Sequence, residues 1–417
     1  MAVAYRGLFW PLVALIAGLL LSILSMSCDP DGGGTPANAP DAAVTTPPPG
    51  TPDAATTTPP PGDDVAGCSP DSRFLPVPAD TAAPGPWPVG ARTVSVGRLT
   101  MEVFYPARPG SEAGQPGARY DLRLWLPASE RSKIPDAENP WQPCDCARDL
   151  PLDDAHGPYP LVVFIHGTAG FRTQSLVAAT HWASRGFVVI AADHPGLFLG
   201  DLLALACFQA QSGARTISAD VDAELAAVTA AQGELAFLAG KLDLGRVAVV
   251  GHSAGASEAA ALSGRAGVQV VIALAGGAAV ASSASLRAVL WMAAKSDAVV
   301  SYASSKSGYD GSPGPKHWVG VANSGHLCFS DLCGLKNSAG MDLLQIANAN
   351  GVCGAGLAGG LFDCKPTYLP VAEGMQIVDD ATSAVLEDTL RCTGAASSLA
   401  GIMARYPGDV LETFDAP

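Results

Sequence analysis

The chain has 417 residues, 48% of them hydrophobic, enough for a large core, and its 24 Lys+Arg against 39 Asp+Glu leave a formal charge of -15. That acidity opposes nucleic acid and anionic lipid headgroups as partners and suits a neutral or cationic small substrate. Charged residues make up only 15% of the chain, so the acidity is spread thinly and reads as a solubility feature.

The N-terminus sets one basic residue, Arg6, before an uncharged apolar stretch from Gly7 to Leu24 and the run Ser25, Met26, Ser27 ahead of Cys28. This is the layout of an export signal over residues 1–27. Cys28 is a candidate lipidation site of the bacterial lipoprotein type, although Ser25 stands where such signals usually carry Leu. The alternative is an uncleaved anchor, because the apolar run approaches the ~20 residues that span a bilayer. Both readings predict an exported protein, secreted or held in the cell envelope, that meets a membrane only through this segment. Residues 28–67 are dominated by Pro, Thr, Ala, Gly and Asp, with Thr-Thr-Pro-Pro-Pro-Gly at 45–50 and again at 57–62. Such a composition buries too little apolar surface to fold and predicts an extended spacer.

From Cys68 to the C-terminus one catalytic domain is expected, in which short β-branched runs alternate with helical patterns. Val94 to Tyr105 predicts an antiparallel hairpin capping one sheet edge. Buried strands are predicted at Leu161–Ile165, Phe187–Ala191, Arg246–Val250, Val268–Leu274, Ala288–Ala293 and Trp318–Ala322. Helices are predicted at Gln174–Ser184, Ala219–Leu238, Ala256–Ser263 and Ile377–Leu390. The expected class is α/β, with a mostly parallel central sheet and helices on both faces. Ten cysteines fit an oxidising compartment. Cys328 with Cys333, and Cys353 with Cys364, are spaced as candidate pairs, whereas Cys144 and Cys146 stand too close to pair. The Cys-x-x-Cys units that a zinc site would use do not occur.

Gly251-His252-Ser253-Ala254-Gly255 follows the predicted strand Arg246–Val250 and precedes an Ala-rich helix, the setting in which G-x-S-x-G presents a nucleophilic serine. Ser253 needs a base, and two histidines follow it in the chain. His317 falls at the start of the last predicted strand, where a core or edge role is expected. His326 lies in Asn323-Ser324-Gly325-His326, the loop after that strand, and is the favoured base. The acid expected between them is Asp297, in the turn Lys295-Ser296-Asp297 after the strand Ala288–Ala293. Its bland alternative is a helix N-cap. Asp310, in a Gly/Pro-rich loop, is the runner-up, and Asp331 follows the histidine. The backbone amides of Ala254 and Thr168, the latter in His166-Gly167-Thr168-Ala169-Gly170, are the expected oxyanion donors. His166 is expected to support that loop without titrating, and His252 to point away into the fold. The apolar segment Leu197–Phe208 reads equally as acyl-pocket lining or as an ordinary buried helix.

Tyr105-Pro106, His166-Gly167, Asp193-His194-Pro195-Gly196, Gly251 to Gly255, and Gly325-His326 followed by Phe329-Ser330-Asp331 carry a family resemblance. Over roughly Pro88 to Leu390 the chain resembles the dienelactone-hydrolase-like and platelet-activating-factor-acetylhydrolase-like branch of the α/β hydrolases. The resemblance implies cleavage of carboxylic esters by a Ser-Asp-His triad, carried here by Ser253, Asp297 and His326, without metal or organic cofactor. Polyester-cleaving hydrolases share the pattern, so the expected substrate is a small-molecule or polymeric ester. Dienelactone hydrolases themselves use cysteine where Ser253 stands, and their particular substrate is not implied. An acyltransferase or peptidase using the same residues, or a surface binding protein that has lost activity, are the competing readings, and fold alone does not separate them.

Overall fold

The computed structural model describes residues 64–417, leaving aside the side chains of 396–398. The expected signal over 1–27, Cys28 and the spacer up to residue 63 lie outside the described residues. The end of that spacer is corrected: β1 (Val65–Ala66) pairs antiparallel with β2 (Arg73–Phe74). The turn between them closes on a bond from the Gly67 amide to the Ser72 carbonyl.

The main sheet is built from β3 (Val89–Val96), β4 (Leu99–Pro106), β5 (Gly117–Tyr120), β6 (Gln142–Arg148), β7 (Tyr159–Ile165), β8 (Val188–Ala192), β9 (Leu242–His252), β10 (Val268–Leu274), β11 (Ala288–Ala294), β12 (Lys316–Val321) and β13 (Val410–Ala416). Their spatial order is β13-β12-β11-β10-β9-β7-β8-β4-β3-β6-β5. From β8 through β7, β9, β10 and β11 to β12 all pairings are parallel. These are the strands predicted from apolar runs, which are continuous because both faces of a parallel sheet are covered. Side chains alternate between two cores, Val162 and Phe164 entering one while Leu161, Val163 and Ile165 enter the other.

The helices are α1 (Leu176–Ser184), α2 (Leu199–Ala206), α3 (Ile217–Ala230), α4 (Ala254–Ala261), α5 (Tyr302–Gly311), α6 (Leu343–Ala349), α7 (Ala355–Ala358), α8 (Val371–Leu386) and α9 (Ile402–Arg405). Trp182 of α1 and Ile377 of α8 fill the first core, while Val221 of α3, Ala259 of α4 and Tyr309 of α5 fill the second. The α/β arrangement with helices on both faces therefore stands. Among the described residues no helix is long and apolar enough to cross a membrane.

Four expectations about elements are corrected. The hairpin β3–β4 forms but caps no edge, because β4 pairs with β8 and β3 continues into β6 and β5. The β6 string Gln-Pro-Cys-Asp-Cys-Ala-Arg lacks β-branched residues, which hides the strand, although Gln142, Cys144 and Cys146 alternate inward. At the other edge β12 is not the last strand, since β13 adds to it antiparallel. The predicted helix Ala219–Leu238 begins at Ile217 and breaks after Ala230, where Ala231 and Gly233 take φ of 45° and 57°, before a 3-10 turn over Gly233–Leu238. Asp310 belongs to α5, not to a loop, and binds Lys306 one turn away at 2.5 Å.

Cysteine pairing also departs from expectation. The bonds are Cys68–Cys392, Cys144–Cys146, Cys207–Cys353 and Cys333–Cys364, with Cys328 free. Cys144 and Cys146 share the inward face of β6 with Cα atoms 5.1 Å apart, inside bridging range. Neither Cys328–Cys333 nor Cys353–Cys364 forms, because the chain folds Cys353 onto the end of α2 and Cys364 back onto Cys333. Disulfides of this number hint at an extracellular protein.

Candidate active site

The carboxyl ends of the parallel strands carry every residue singled out for chemistry. Thr168 follows β7, Ser253 follows β9, Asp297 follows β11 and His326 follows β12. This is the edge at which open α/β sheets place their ligands.

At the β9–α4 junction Ser253 takes φ 56° and ψ -119°, a conformation that non-glycine residues rarely adopt. The chain turns so sharply that a Cβ at Gly251 would land on the Gly255 carbonyl, and one at Gly255 on the Ile165 carbonyl. Only glycine fits either flank. The turn is fixed by the Ser253 amide donating to the Leu274 carbonyl at 2.9 Å. Ser253 is 8% exposed.

His326 Nδ1 lies 2.8 Å from Asp297 Oδ2. A carboxylate only accepts, so the ring proton sits on Nδ1 and the Nε2 lone pair is left free. The other carboxylate oxygen, Oδ1, accepts from the amides of Val299 and Val300, both at 2.7 Å. The N-cap of α5 is Ser301, so the helix-cap alternative for Asp297 is replaced by a turn bond on one oxygen and an imidazole on the other. Among the described residues no hydrogen bond joins Ser253 Oγ to His326. His317 pairs instead with Asp415 of β13 at 2.6 Å, the edge role expected of it.

The loop 166–170 packs directly on the serine turn: a Cβ at Gly167 would stand 3.1 Å from Ser253 Cβ. Among the described residues, backbone–backbone bonds of this loop and turn start at Ala169, Gly170, Ser253 and Ala256, and none starts at the amides of Thr168 or Ala254. His166 Nδ1 donates to the Gly167 carbonyl at 2.8 Å and its Nε2 accepts the His194 amide at 3.2 Å. Burial holds this imidazole neutral, with its pKa pushed down to about 3. Asp193 accepts from the Arg172 amide at 2.8 Å and from Trp125 Nε1 at 3.0 Å, tying the following segment to the same loop.

His252 does not point away from the site. Its ring lies 4.7 Å from that of His326, and its Nε2 donates to the His326 carbonyl at 2.9 Å. Its Nδ1 accepts from Gln174 Nε2 at 2.8 Å, while Gln174 Oε1 takes the Gly167 amide at 3.2 Å. Burial pushes the His252 pKa down to about 3, consistent with a neutral ring serving as a spacer. Gln174 thereby connects the loop 166–170 to the loop of His326. Asp363 makes a second connection. Its Oδ2 accepts the His326 amide at 3.1 Å and the Ala298 amide at 3.2 Å, joining the turns that carry His326 and Asp297. Tyr368 donates its hydroxyl to the Ser296 carbonyl at 3.1 Å, from the same strap. Sequence reasoning missed Gln174, Asp363 and Tyr368. Each meets a site loop through a partner distant in sequence, His252 for Gln174, His326 for Asp363 and Ser296 for Tyr368, which no local pattern signals. Asp331 lies in the core beneath α1, accepting from Gln142 Nε2 at 2.7 Å, with burial pushing its pKa up to about 6.

Comparison with known proteins gives one family match. Residues 141–196 match the model of the family described as platelet-activating factor acetylhydrolase, isoform II. The matched segment runs from β6 through the loop 166–170 and α1 to Asp193-His194-Pro195-Gly196. No curated protein matches the chain. With the sheet described above, the match supports the α/β-hydrolase fold, the resemblance to the platelet-activating-factor-acetylhydrolase-like branch and, at the coarse level, a hydrolase of lipase or esterase type.

Proposed function

We propose that the chain cleaves carboxylic esters through an acyl-enzyme on Ser253. His326 Nε2 takes the hydroxyl proton as Ser253 Oγ attacks the carbonyl carbon, and Asp297 stabilises the resulting imidazolium. The amides of Thr168 and Ala254 receive the oxyanion. Collapse expels the alcohol, protonated by His326, and water then repeats the sequence to release the acid. The observation that carries this reading is the 2.8 Å bond from His326 Nδ1 to Asp297, which leaves Nε2 as the basic nitrogen on a loop at the same sheet edge as a serine held in a strained turn. The open Ser253–His326 bond fits a free enzyme, in which such contacts tighten only with substrate bound.

Incubation of the purified protein with a fluorophosphonate probe and a series of p-nitrophenyl esters tests the proposal. Ser253 is expected to be labelled, and Ser253→Ala is expected to lose labelling and turnover while keeping the wild-type melting profile. A folded wild-type protein that neither labels nor turns over an ester would favour the binding-protein reading. The proposal extends to location: residues 1–27 direct export and Cys28 carries the lipid anchor. The intact mass of the mature N-terminus tests this, since an unacylated start elsewhere would exclude the anchor.

A further inference from the structure

A cavity of about 130 Å³ opens beside His326 and Thr168. Its walls are mostly apolar, formed by Leu199 and Leu203 of α2, Ile346 of α6, Val352 just before α7 and Ala355 at its start, with Asn139, Gln174 and His252 as further polar lining. Leu203, Ile346, Val352 and Ala355 pack with Leu126 and Ile134 in a small core separate from the two that flank the sheet. The Cys207–Cys353 bond joins the end of α2 to the turn before α7, so it ties these two adjoining walls to each other. In that turn Gly354, at φ 79°, brings the backbone within reach of the Leu203 side chain, which a Cβ would meet at 3.0 Å. Arg123 is the one Lys or Arg among the lining residues. Its guanidinium is occupied by Asp121 and Asp136, each at 2.6 Å, and offers no free charge to a ligand.

Resting on the esterase reading, we propose that this cavity binds the acyl chain of the ester, an apolar chain of about four to six carbons. Size sets the length, since an apolar cavity of about 150 Å³ accommodates benzene. Chemistry excludes a charged tail, because the lining supplies neither an unpaired cation for an anion nor a carboxylate for a cation. The acyl side is assigned because walls cross-linked by a disulfide suit the part of the substrate that stays bound after the alcohol departs.

Two ester series decide it, one with growing acyl chains on p-nitrophenol and one of acetates with growing alcohols. In the acyl series kcat/KM is expected to rise by about fourfold per methylene, the worth of burying one CH₂, up to about hexanoate and to fall beyond it. Ile346→Phe, which fills the cavity, is expected to lower the hexanoate-to-acetate ratio at least about tenfold; Leu203→Ala is expected to move the optimum to longer chains. Val352→Phe repeats the filling test from another wall should Ile346→Phe fail to fold. A flat acyl series, a dependence seen only in the alcohol series, or a ratio unmoved by folded filling variants overturns the pocket and spares the esterase. Absence of both fluorophosphonate labelling and turnover overturns the esterase reading, and this one with it.

Discussion

Single residues of this molecule trade stability for placement. Glu224 of α3 is fully buried, and neither of its carboxylate oxygens has a hydrogen-bond partner. Burial raises its pKa from 4.5 to about 7, with His194, whose Nε2 is 4.0 Å away, lowering it and Asp220 raising it. Between those two values the folded state holds a proton that the unfolded chain has lost, so stability falls as pH rises through the window. Urea unfolding of the wild type at pH 5 and pH 7.5 is expected to show this loss, on the order of 3 kcal/mol from this group. Glu224→Gln is expected to flatten it, and an unchanged pH slope in that variant would assign the effect elsewhere. Ser253 illustrates the same trade in the backbone: its φ of 56° persists because Gly251 and Gly255 let the neighbouring chain close around it.

At the level of elements, the residues of the site come from separate strands and are held in register by straps from outside the sheet. Asp363 lies in the segment between α7 and α8, one residue before the Cys333–Cys364 bond, and accepts amides from both the Asp297 turn and the His326 loop. Removing its carboxylate leaves the buried His326 amide and the more exposed Ala298 amide without their acceptor. Asp363→Ala is expected to lower kcat by about tenfold to a hundredfold with a smaller change in KM, and Asp363→Asn, which keeps an accepting oxygen, to restore most of it. Equal losses in both variants would mean that charge, not placement, is what Asp363 contributes. The element boundaries follow local chemistry where a break is strong, as at Gly233, and follow packing elsewhere. Thus α8 begins at Val371, directly after Pro370, and gives way to a wider turn over Glu387–Arg391 where Glu387 binds buried Arg185.

Across the whole molecule, the two ends of the described chain are sewn to each other. Cys68 bonds Cys392 across 324 residues. Arg185 donates to the carbonyl of Pro78 at 2.9 Å, and Arg391 to that of Leu75 at 3.4 Å. A cross-link over so long a loop removes conformational freedom mainly from the unfolded chain. The double variant Cys68→Ser with Cys392→Ser is expected to lose about 2–4 kcal/mol in denaturant unfolding while retaining ester turnover, because the bond lies away from the strand ends that carry the site. A loss of turnover without loss of stability would contradict that separation. The parallel strands, the serine turn and the identities of Ser253, Asp297 and His326 as candidates were legible in the sequence, since apolar runs, flanking glycines and chain order act locally. The edge strands β5 and β13, the neighbouring β6, the disulfide partners, and the roles of Gln174, His252 and Asp363 were not, since each depends on what the folded chain sets against it. Periodicity specifies which residues are buried; only the closed tertiary structure decides which buried polar groups and thiols meet.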